Sequence, residues 1–388
     1  MRYSKRRGND MRKMKWISCL LTAMLCFSCV GCANEKNGKQ YNVNDYRTTM
    51  QFHDDFKVMQ IADLHFGIET DVQKQLSFVL AAIEEADPDL IILSGDNFMY
   101  GSKGIIKTLF SALNEECKKR TAAHPERLTK FAVTYGNHDN QGDYARYYAN
   151  ETIKAYVAKD GDEIKEHKYA AFLDYEDDNL FGLTNYFIDL VDDRSKDADR
   201  VDVKYRLHII DSNTYQFVGT KYKYDCIRPE QLDHAKKIYA EATADKDYIG
   251  MCFFHIPFAE YQTAKEQYES AANPALIGQG EWREEVLHAY EDYGSYEKLK
   301  EANIIAFSVG HDHINYGDIL YNATSSNFAD KAIFSYGVKS TNQLYHDEDM
   351  LGYKIYNLKD GMTKERFLSI ENINANFINI TDRNGDYE

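Results

Sequence analysis

Residues of the kinds that bind metal ions occur in five short segments between positions 63 and 313. These segments are Asp63-Leu64-His65, Gly95-Asp96-Asn97, Gly136-Asn137-His138-Asp139, His255 and Gly310-His311-Asp312-His313. Asp, His and Asn side chains without a cysteine suit divalent ions such as Zn, Mn or Fe. Seven candidate ligands exceed what one tetrahedral ion needs, so two ions that share a carboxylate are the simpler interpretation. The seven candidate ligands are Asp63, His65, Asp96, Asn137, His255, His311 and His313.

Each segment follows an apolar, β-branched run that predicts a buried strand. Side chains at i and i+2 of a strand point the same way, so Asp63 and His65 can converge on one ion. His311 and His313 have the same spacing. The glycines at 95, 136 and 310 allow sharp turns beside an ion. We therefore expect five strand ends to meet at one edge of a sheet and to form a single metal pocket there.

Taken singly, every segment has an ordinary alternative. An Asp-x-His pair can be a surface or capping pair, and Gly-Asp is commonly a turn. Asn137-His138-Asp139 can form an Asx-type turn, and His255 can be a core histidine bonded to backbone. His-Asp-His alone is also weak evidence for a metal. The occurrence of all five after predicted strands favours the metal site over five separate coincidences.

The rest of the chain has the alternating strand and helix pattern of an α/β protein. We predict one catalytic domain over residues 51–372, in which the Asp-, Tyr- and Lys-rich stretch 141–200 is an inserted helix and hairpin over the pocket. Strands are predicted at 58–62, 90–93, 131–134, 205–210, 248–254, 304–309, 332–336 and 351–357. Helices are predicted at 72–83, 103–119, 229–242 and 283–301.

The motifs resemble those of the calcineurin-like metallophosphoesterase superfamily, in the same order and over about 300 residues. They read D-x-H, G-D-N, G-N-H-D, a single His, and G-H-x-H. Residues 254–257 (Phe-His-Ile-Pro), Asn185-Tyr186 and the segment 227–232 are similar to the single-domain, purple-acid-phosphatase-like branch. The resemblance implies a four-layer α/β/β/α sandwich of two mixed sheets, with a dinuclear metal site at the strand ends.

The resemblance also implies a role for each site residue. One metal ion would be held by Asp63, His65, Asp96 and His313. The other would be held by Asp96, Asn137, His255 and His311, with Asp96 as the bridge. His138 would lie over the substrate as a catalytic group, and Asp139 would hold its ring.

The chain departs from true purple acid phosphatases in two linked positions. Those enzymes have Gly where His65 stands and a tyrosinate ligand three residues after the bridging Asp. Here that position is Met99, and Tyr100 comes one residue late. We therefore expect no iron–tyrosinate bond, with His65 as the replacement ligand.

The implied activity is hydrolysis of a phosphoester, most simply a monoester, by in-line attack of a hydroxide that bridges two metal ions. Phosphodiesters of nucleotides or phospholipids are the alternative substrates, and a non-catalytic metal-binding lipoprotein is a third interpretation. Arg228, Tyr261 and Trp282 are candidates to contact the substrate. Each of the three has a packing or surface role as its plain alternative.

The N-terminus has the pattern of a bacterial lipoprotein signal. Basic residues precede an apolar run at 16–30 that is too short to be a comfortable membrane span. Residues 1–32 are interpreted as a signal peptide that ends at a lipidated Cys32, and 33–50 as a polar tether. Simple secretion is the alternative, and Met11 or Met14 are alternative starts. Residues 373–388 are predicted to be a polar tail. An extracytoplasmic, membrane-anchored enzyme follows from this interpretation.

Charge and composition limit the class of partner. The chain has a formal net charge of −16. Removal of residues 1–31 would take away seven basic side chains and one acid and leave −22. Long nucleic acid is therefore not an expected partner. Only three cysteines lie outside the N-terminal segment, so no disulfide framework is implied. The 30 tyrosines weakly favour a sugar- or ring-contacting surface, although compositional drift explains them as well.

Overall fold

The strands of the structure belong to two mixed sheets and one small hairpin. A computed structural model describes residues 42–67, 71–142, 145–158, 168–175, 177, 179–192, 202–241, 247–369 and 375–379. Its strands are β1 (Arg47–Gln51), β2 (Phe56–Ile61), β3 (Leu90–Ser94), β4 (Lys130–Thr134), β5 (Asn185–Asp192), β6 (Asp202–Ile210), β7 (Tyr215–Val218), β8 (Lys221–Tyr224), β9 (Ile249–Phe253), β10 (Gly278–Trp282), β11 (Ile304–Val309), β12 (Asn315–Tyr321), β13 (Ala332–Tyr336), β14 (Gly352–Leu358) and β15 (Ala375–Asn379).

One sheet has the strand order β15-β14-β2-β3-β4, and the other has the order β1-β5-β6-β9-β11-β13-β12-β10. In the first sheet β2, β3 and β4 are parallel, and in the second β6, β9, β11 and β13 are parallel. Parallel neighbours release the chain at the same edge of a sheet. The register therefore brings the ends of β2, β3 and β4 together, and likewise the ends of β9 and β11.

Helices cover the outer faces of both sheets. They are α1 (Val72–Ala86), α2 (Lys103–Ala123), α3 (Ala145–Ile153), α4 (Pro229–Glu241), α5 (Glu260–Ser270), α6 (Ser295–Glu301) and α7 (Lys364–Phe367). Short 3₁₀ turns occur at Val43–Tyr46, His138–Asn140, Lys154–Tyr156, Pro274–Leu276, Phe328–Asp330 and Glu348–Met350. Apolar residues of α1, α2 and α3 share one core cluster with both sheets, and those of α4, α5 and α6 share a second with β9, β11 and β13. This is the predicted four-layer α/β/β/α sandwich.

The structured region is longer than the predicted 51–372. Within the predicted tether, β1 pairs in parallel with β5 and Tyr46 is buried. Within the predicted tail, β15 pairs with β14. Both strands lie at sheet edges. Backbone hydrogen bonds can stabilise a short edge strand that has no clear apolar pattern in its sequence. Residues 1–41, which include the predicted signal peptide and Cys32, lie outside the described residues. No helix among the described residues is long and apolar enough to cross a bilayer.

The stretch 141–200 is only partly an insertion. Its first part contains α3, as predicted, but β5 is a full member of the large sheet and pairs antiparallel with β6. The interpretation of β5 as part of an inserted hairpin was therefore wrong. Asp189, which interrupts its apolar pattern, is buried because it pairs with Arg206 of β6 through two hydrogen bonds of 2.7 and 2.9 Å. In the sequence alone, a charged residue that is buried with a partner cannot be distinguished from a charged residue on the surface.

The predicted helix at 283–301 is also too long. Only Ser295–Glu301 is helical, because the preceding loop is held to the strand-end loop 312–315 instead. The Glu284 carboxylate accepts from the Ile314 N–H at 2.9 Å, and the Leu287 N–H points at the Asp312 carboxylate. The helix begins after Gly294, which has a φ of 74°.

Candidate metal centre

Four of the seven candidate ligands have a left-handed backbone conformation. The φ angles are 56° at Asp63, 49° at His65, 50° at Asp96 and 82° at His311. Because β2 ends at Ile61, Asp63 and His65 lie in a loop and not in the strand from which their convergence was predicted. The turn of the backbone at each residue directs the side chains inward. Such conformations cost about 1–3 kcal/mol each and are concentrated at functional sites.

Two glycines allow the strand-end loops to cross closely. Gly95 has a φ of 104°, and a Cβ atom on it would lie about 2.5 Å from the His255 ring. A Cβ atom on Gly136 would collide with the Asp96 carboxylate and with the same ring. A larger residue at either position would displace side chains of the site itself. The two glycines therefore leave space beside the site, as the sequence predicted.

Asp63, His65 and His313 form the first group of candidate ligands. One ligand atom from each lies within 4.8 Å of the others, and all three side chains are buried. The Nε2 atoms of His65 and His313 lie 3.1 Å apart, and His313 Nε2 lies 3.6 Å from Asp63 Oδ1. The Nδ1 atom of His313 is 2.9 Å from the Tyr345 carbonyl, so its Nε2 lone pair is left facing His65. Two lone pairs at this distance repel one another unless a cation or proton lies between them.

Asp96, His255 and His311 form the second group. His255 Nδ1 lies 3.0 Å from the Ser94 carbonyl, which leaves Nε2 free to face the pocket. Asn137 lies beside this group, and its amide Nδ2 donates to the Tyr215 hydroxyl at 2.7 Å. A backbone carbonyl and a tyrosine hydroxyl therefore orient these two side chains, as such partners do in many metal sites.

The Asp96 carboxylate lies between the two groups. Its Oδ1 accepts the His138 backbone N–H at 2.7 Å, which fixes the orientation of the side chain. Its Oδ2 lies 3.8 Å from His65 Nε2 and 3.2 Å from His255 Nε2. One oxygen atom thus faces a histidine from each group, which is the position of a bridging ligand.

The protonation states in the pocket suit metal binding. Burial holds the pKa of His65 well below its usual range and lowers the pKa of His311 to about 3 and of His313 to about 2. These rings are neutral at pH 7 and need lose no proton to bind a metal. Burial also opposes the charged form of His255, but the negative charges of Asp96 and Asp63 raise its pKa to about 9. His255 therefore holds a proton that a metal ion would displace.

Buried polar atoms without a partner also fit a pair of cations. Asn137 Oδ1 and both ring nitrogens of His311 have no hydrogen-bond partner among the described residues. A buried polar atom left unpaired costs about 1–3 kcal/mol. The donor set and these unpaired atoms therefore fit two divalent ions, with Asp63, His65 and His313 at one, Asn137, His255 and His311 at the other, and Asp96 between them.

His138 and Asp139 do not form the expected pair. His138 is the more exposed of the two, with its side chain 22% exposed and its Nε2 4.0 Å from Asp96 Oδ2. The Asp139 carboxylate accepts instead from the backbone N–H groups of Gly136 and Phe98, both at 2.7 Å, and from the Asn97 amide at 3.2 Å. Asp139 is thus a brace for the strand-end loops, and the predicted role of holding the His138 ring is wrong.

Two of the three substrate candidates pack against other aromatic side chains. Tyr261 is 2% exposed, stacks on Phe334 at 4.8 Å and donates its hydroxyl to the Ser335 carbonyl, so its predicted substrate contact is wrong. Trp282 packs against Tyr268 in the same half of the fold. The Arg228 guanidinium donates to Asp225 at 2.8 Å and lies over the Phe181 ring.

The position of the missing tyrosinate is also clear in the structure. The Met99 N–H donates to the Phe66 carbonyl at 3.0 Å, so this residue continues the pairing of the two strand-end loops. Tyr100 adopts a φ of 54° and its side chain is 61% exposed. Tyr100 is therefore largely exposed, in contrast to the buried candidate ligands.

Several residues of the centre were not found from the sequence. Lys339 is buried, and its ammonium group donates to the Asp63 carbonyl at 2.8 Å; burial lowers its pKa to about 8. Tyr345 stacks on His313 at 4.3 Å, and Tyr224 meets the His311 ring edge-on at 4.4 Å. None of these lies in a motif. The tyrosine-rich composition was the one available signal, and it does not say which tyrosines are involved.

Comparison with known proteins agrees with this geometry. Phosphatase DCR2 of Saccharomyces cerevisiae is 26% identical over 276 residues, which are 67% of this chain and 44% of that protein. The chain therefore spans less than half of the yeast relative. Probable inactive purple acid phosphatases 29 and 14 of Arabidopsis thaliana are each 23% identical, over 76% and 79% of this chain and 73% and 77% of their own lengths.

The family model described as calcineurin-like phosphoesterase matches residues 56–315, which include all seven candidate ligands and His138. That match covers more than half of the chain, and the two plant relatives are named purple acid phosphatases. Members of the family use dinuclear metal sites, and two ligand groups are present here. The chain therefore belongs to the calcineurin-like phosphoesterase family.

Proposed function

We propose that this protein hydrolyses phosphate monoesters and uses two divalent ions held by the two ligand groups. The observation that carries the proposal is the position of Asp96. Its Oδ2 atom faces one histidine of each group, while its Oδ1 atom is bonded to the backbone of His138. The Asp96 carboxylate thus links the two groups of candidate ligands to the loop that carries His138.

Two bound divalent ions would lower the pKa of a water molecule and neutralise charge on the phosphoryl oxygens. The side chains of the protein do the remaining work. His138 lies on the open side of the pocket, where its Nε2 atom can donate a proton to the leaving oxygen. Its backbone is held by Asp96, so the ring is carried on a fixed loop. Burial of the seven ligands excludes water from the other sides.

Monoesters are favoured by the relatives. The yeast relative is named a phosphatase, and the plant relatives are named purple acid phosphatases. The plant names include the word inactive, but this chain has all seven ligands and His138 in one pocket. A complete ligand set is needed for hydrolysis and is not needed for packing, so it supports an active centre.

Metal analysis together with a substrate panel tests the proposal. The purified full-length protein is loaded with Mn, Zn or Fe, and its metal content is measured. Hydrolysis of p-nitrophenyl phosphate is then compared with that of bis-p-nitrophenyl phosphate, since both release the same coloured product. We expect about two metal ions per chain and faster hydrolysis of the monoester. Preferential cleavage of the diester would make the protein a phosphodiesterase, and bound metal without either activity would make it a binding protein.

A further inference from the structure

A ladder of four aromatic rings leads from the metal centre into solvent. It is formed by the hairpin of β7 and β8, in which Tyr215 faces Tyr224 and Phe217 faces Tyr222. Since residues i and i+2 of a strand share a face, all four rings lie on the same side of the hairpin. The ring centroids are 5.7 Å apart for Tyr215 and Tyr224, and 5.3 Å apart for Phe217 and Tyr222. We call these four residues the aromatic ladder.

The inner end of the aromatic ladder contacts two candidate ligands of the second group. The Tyr215 hydroxyl accepts a hydrogen bond from the Asn137 amide at 2.7 Å. The Tyr224 ring lies 4.4 Å from the His311 ring in an edge-on arrangement. Because both contacts come from the ladder face, that face of the hairpin is turned toward the metal centre.

The outer end of the aromatic ladder is exposed. Phe217 is 64% exposed and Tyr222 is 74% exposed. Two residues of a strand span roughly 7 Å. The outer rings therefore lie about 7 Å farther from the candidate ligands than the inner rings, which is about the length of a small organic group. Large exposed aromatic side chains next to one another mark a binding surface more often than scattered ones do. Nothing in the packing of the described residues requires two rings there.

The opposite face of the hairpin has a different character. It carries Gln216, Val218, Lys221 and Lys223. The lysines, which would attract further negative charge on a substrate, are thus turned away from the ladder side. Recognition of a sugar would need fixed polar groups for its hydroxyls, whereas the outer end offers two exposed rings that meet at an angle of 63°. Flat aromatic groups are the partners that such rings stack on best.

We propose that the aromatic ladder binds the organic part of the substrate and selects phosphate monoesters whose alcohol carries a planar aromatic ring. This proposal rests on the proposed phosphomonoesterase function and names its substrate class. The phosphate is placed between the two ligand groups, and the ring is placed against Phe217 and Tyr222. The metal ligands set the reaction, and the hairpin sets which ester is held long enough to react.

Two substrates with equally reactive leaving groups test the proposal. 2-Phenylethyl phosphate and n-butyl phosphate are both esters of primary alcohols, so they differ chiefly in the ring. With the metal-loaded full-length protein we expect kcat/KM to be about tenfold higher for the phenylethyl ester, the size expected for contact of one aromatic ring with two others. In the double variant Phe217→Ser/Tyr222→Ser this ratio should fall toward one.

The matched control is Val218→Ser/Lys221→Ser, the facing pair on the other side of the same hairpin, which should keep the wild-type ratio. Each single ladder variant should remove part of the preference, and melting temperature and metal content are measured on all variants. An unchanged ratio in the double ladder variant, or a wild-type preference for n-butyl phosphate, overturns the proposal. Failure of the wild type to hydrolyse either ester would instead overturn the phosphomonoesterase function.

Discussion

Asp96 and His138 are neighbours in the pocket with different expected roles. The Asp96 carboxylate is fully buried between the ligand groups, whereas the His138 side chain is 22% exposed. Burial alone would raise the pKa of Asp96, but the charge of His255 holds it well below its usual range. Asp96 therefore stays ionised and able to bind metal, while His138 is placed to meet the substrate. Substitution of the two residues should separate metal binding from turnover.

His138→Ala should lower kcat by about 10²–10⁴-fold, the usual size of a general-acid contribution, and leave the metal content unchanged. Asp96→Ala should abolish hydrolysis and reduce the metal content, since it removes the oxygen between the groups. Both are measured by steady-state kinetics and metal analysis of the same preparations. Full activity of the Asp96 variant, or loss of metal from the His138 variant, would contradict these assignments.

The protonated state of the metal-free pocket predicts a pH dependence of stability. Burial opposes the charged form of His255, but the negative charge of Asp96 raises its pKa to about 9. Burial raises the pKa of Asp312 to about 8. Between about pH 7 and pH 8 the folded chain therefore holds protons that the unfolded chain has mostly lost. The other pocket histidines, whose pKa values are lowered, are neutral in the folded chain, and above pH 7 they have lost most of their protons in the unfolded chain as well, since an unfolded histidine has a pKa near 6.5. The free energy of unfolding of the metal-free protein should therefore fall as pH rises from about 7 to about 8.

Urea unfolding in the presence of a chelator, repeated at several pH values in this window, measures the effect. The Mn-loaded protein is the control, because bound metal removes the proton from His255 at all of these pH values. The loaded protein should show a weaker fall. Stability that is flat or rises with pH in the chelated sample would show that His255 is not protonated there.

At the scale of the elements, the site is made by loops that leave parallel strands and not by the strands themselves. The Asp63 and Asp96 segments turn by left-handed residues directly after β2 and β3. They are then joined to one another by backbone hydrogen bonds, such as His65 N–H to the Asp96 carbonyl at 2.9 Å. Asp139 adds further bonds to the same loops. The ligands are therefore pre-positioned by backbone before any metal binds.

Gly136→Ala should disrupt this arrangement, because the added methyl group would meet the Asp96 carboxylate and the His255 ring. We expect loss of most metal binding and at least a 10²-fold fall in activity, the cost of a displacement of about 1 Å. Gly104→Ala, near the beginning of α2, is the matched control because its Cβ atom would have ordinary space. It should leave metal content and activity at the wild-type level. Normal metal binding by the Gly136 variant would show that the loops can move apart.

At the scale of the whole molecule, buried polar side chains join the two sheets beneath the site. The Gln60 amide of β2 donates to the Val309 carbonyl of β11 at 3.0 Å and accepts from the Ser308 hydroxyl at 2.6 Å. The Lys354 ammonium of β14 donates to Asp318 of β12 at 2.8 Å and to the Tyr336 carbonyl of β13 at 2.6 Å. Directional bonds of this kind set the offset of one sheet on the other, which an apolar interface alone would leave less defined.

Lys354→Met should lower the free energy of unfolding by about 3–5 kcal/mol, because it leaves the buried Asp318 carboxylate without its cation. Urea unfolding of the metal-loaded protein measures this change. Lys359→Met, at an exposed position just after the same strand, is the control and should lie within about 0.5 kcal/mol of wild type. The double variant Lys354→Met/Asp318→Asn should recover part of the loss. A Lys354 variant as stable as the control would mean that the pair does not hold the sheets together.

We propose that the chain is anchored to a membrane through a lipidated Cys32, and this can be tested in cells that express the full chain. Acyl chains contribute about 0.8 kcal/mol of membrane affinity for each buried CH₂ group. The wild type should sediment with membranes, and Cys32→Ala should move the protein to the soluble or secreted fraction with its activity retained. Cys29→Ala is the control and should fractionate like the wild type. Equal fractionation of all three proteins would contradict lipidation at Cys32.

Much of the fold and of the ligand set could be predicted from the sequence, because both leave local patterns. Apolar runs mark β2, β3, β4, β9 and β11, and the motifs that follow them carry the seven candidate ligands that the structure brings together. The predictions failed where stabilisation comes from distant partners. The prediction for β5 is wrong because its charged residue Asp189 is paired with the distant Arg206. The prediction for Tyr261 is wrong because the residues next to a tyrosine in the sequence do not show whether it is buried.

The sequence by itself thus determined the superfamily and the candidate ligand types. Only the tertiary structure decided what surrounds them: the brace at Asp139, the buried Lys339 behind Asp63 and the aromatic ladder beside His311. The physical reason is the range of the interactions. Strand-end motifs encode chemistry within a few residues, whereas these contacts depend on how two sheets and a hairpin pack together.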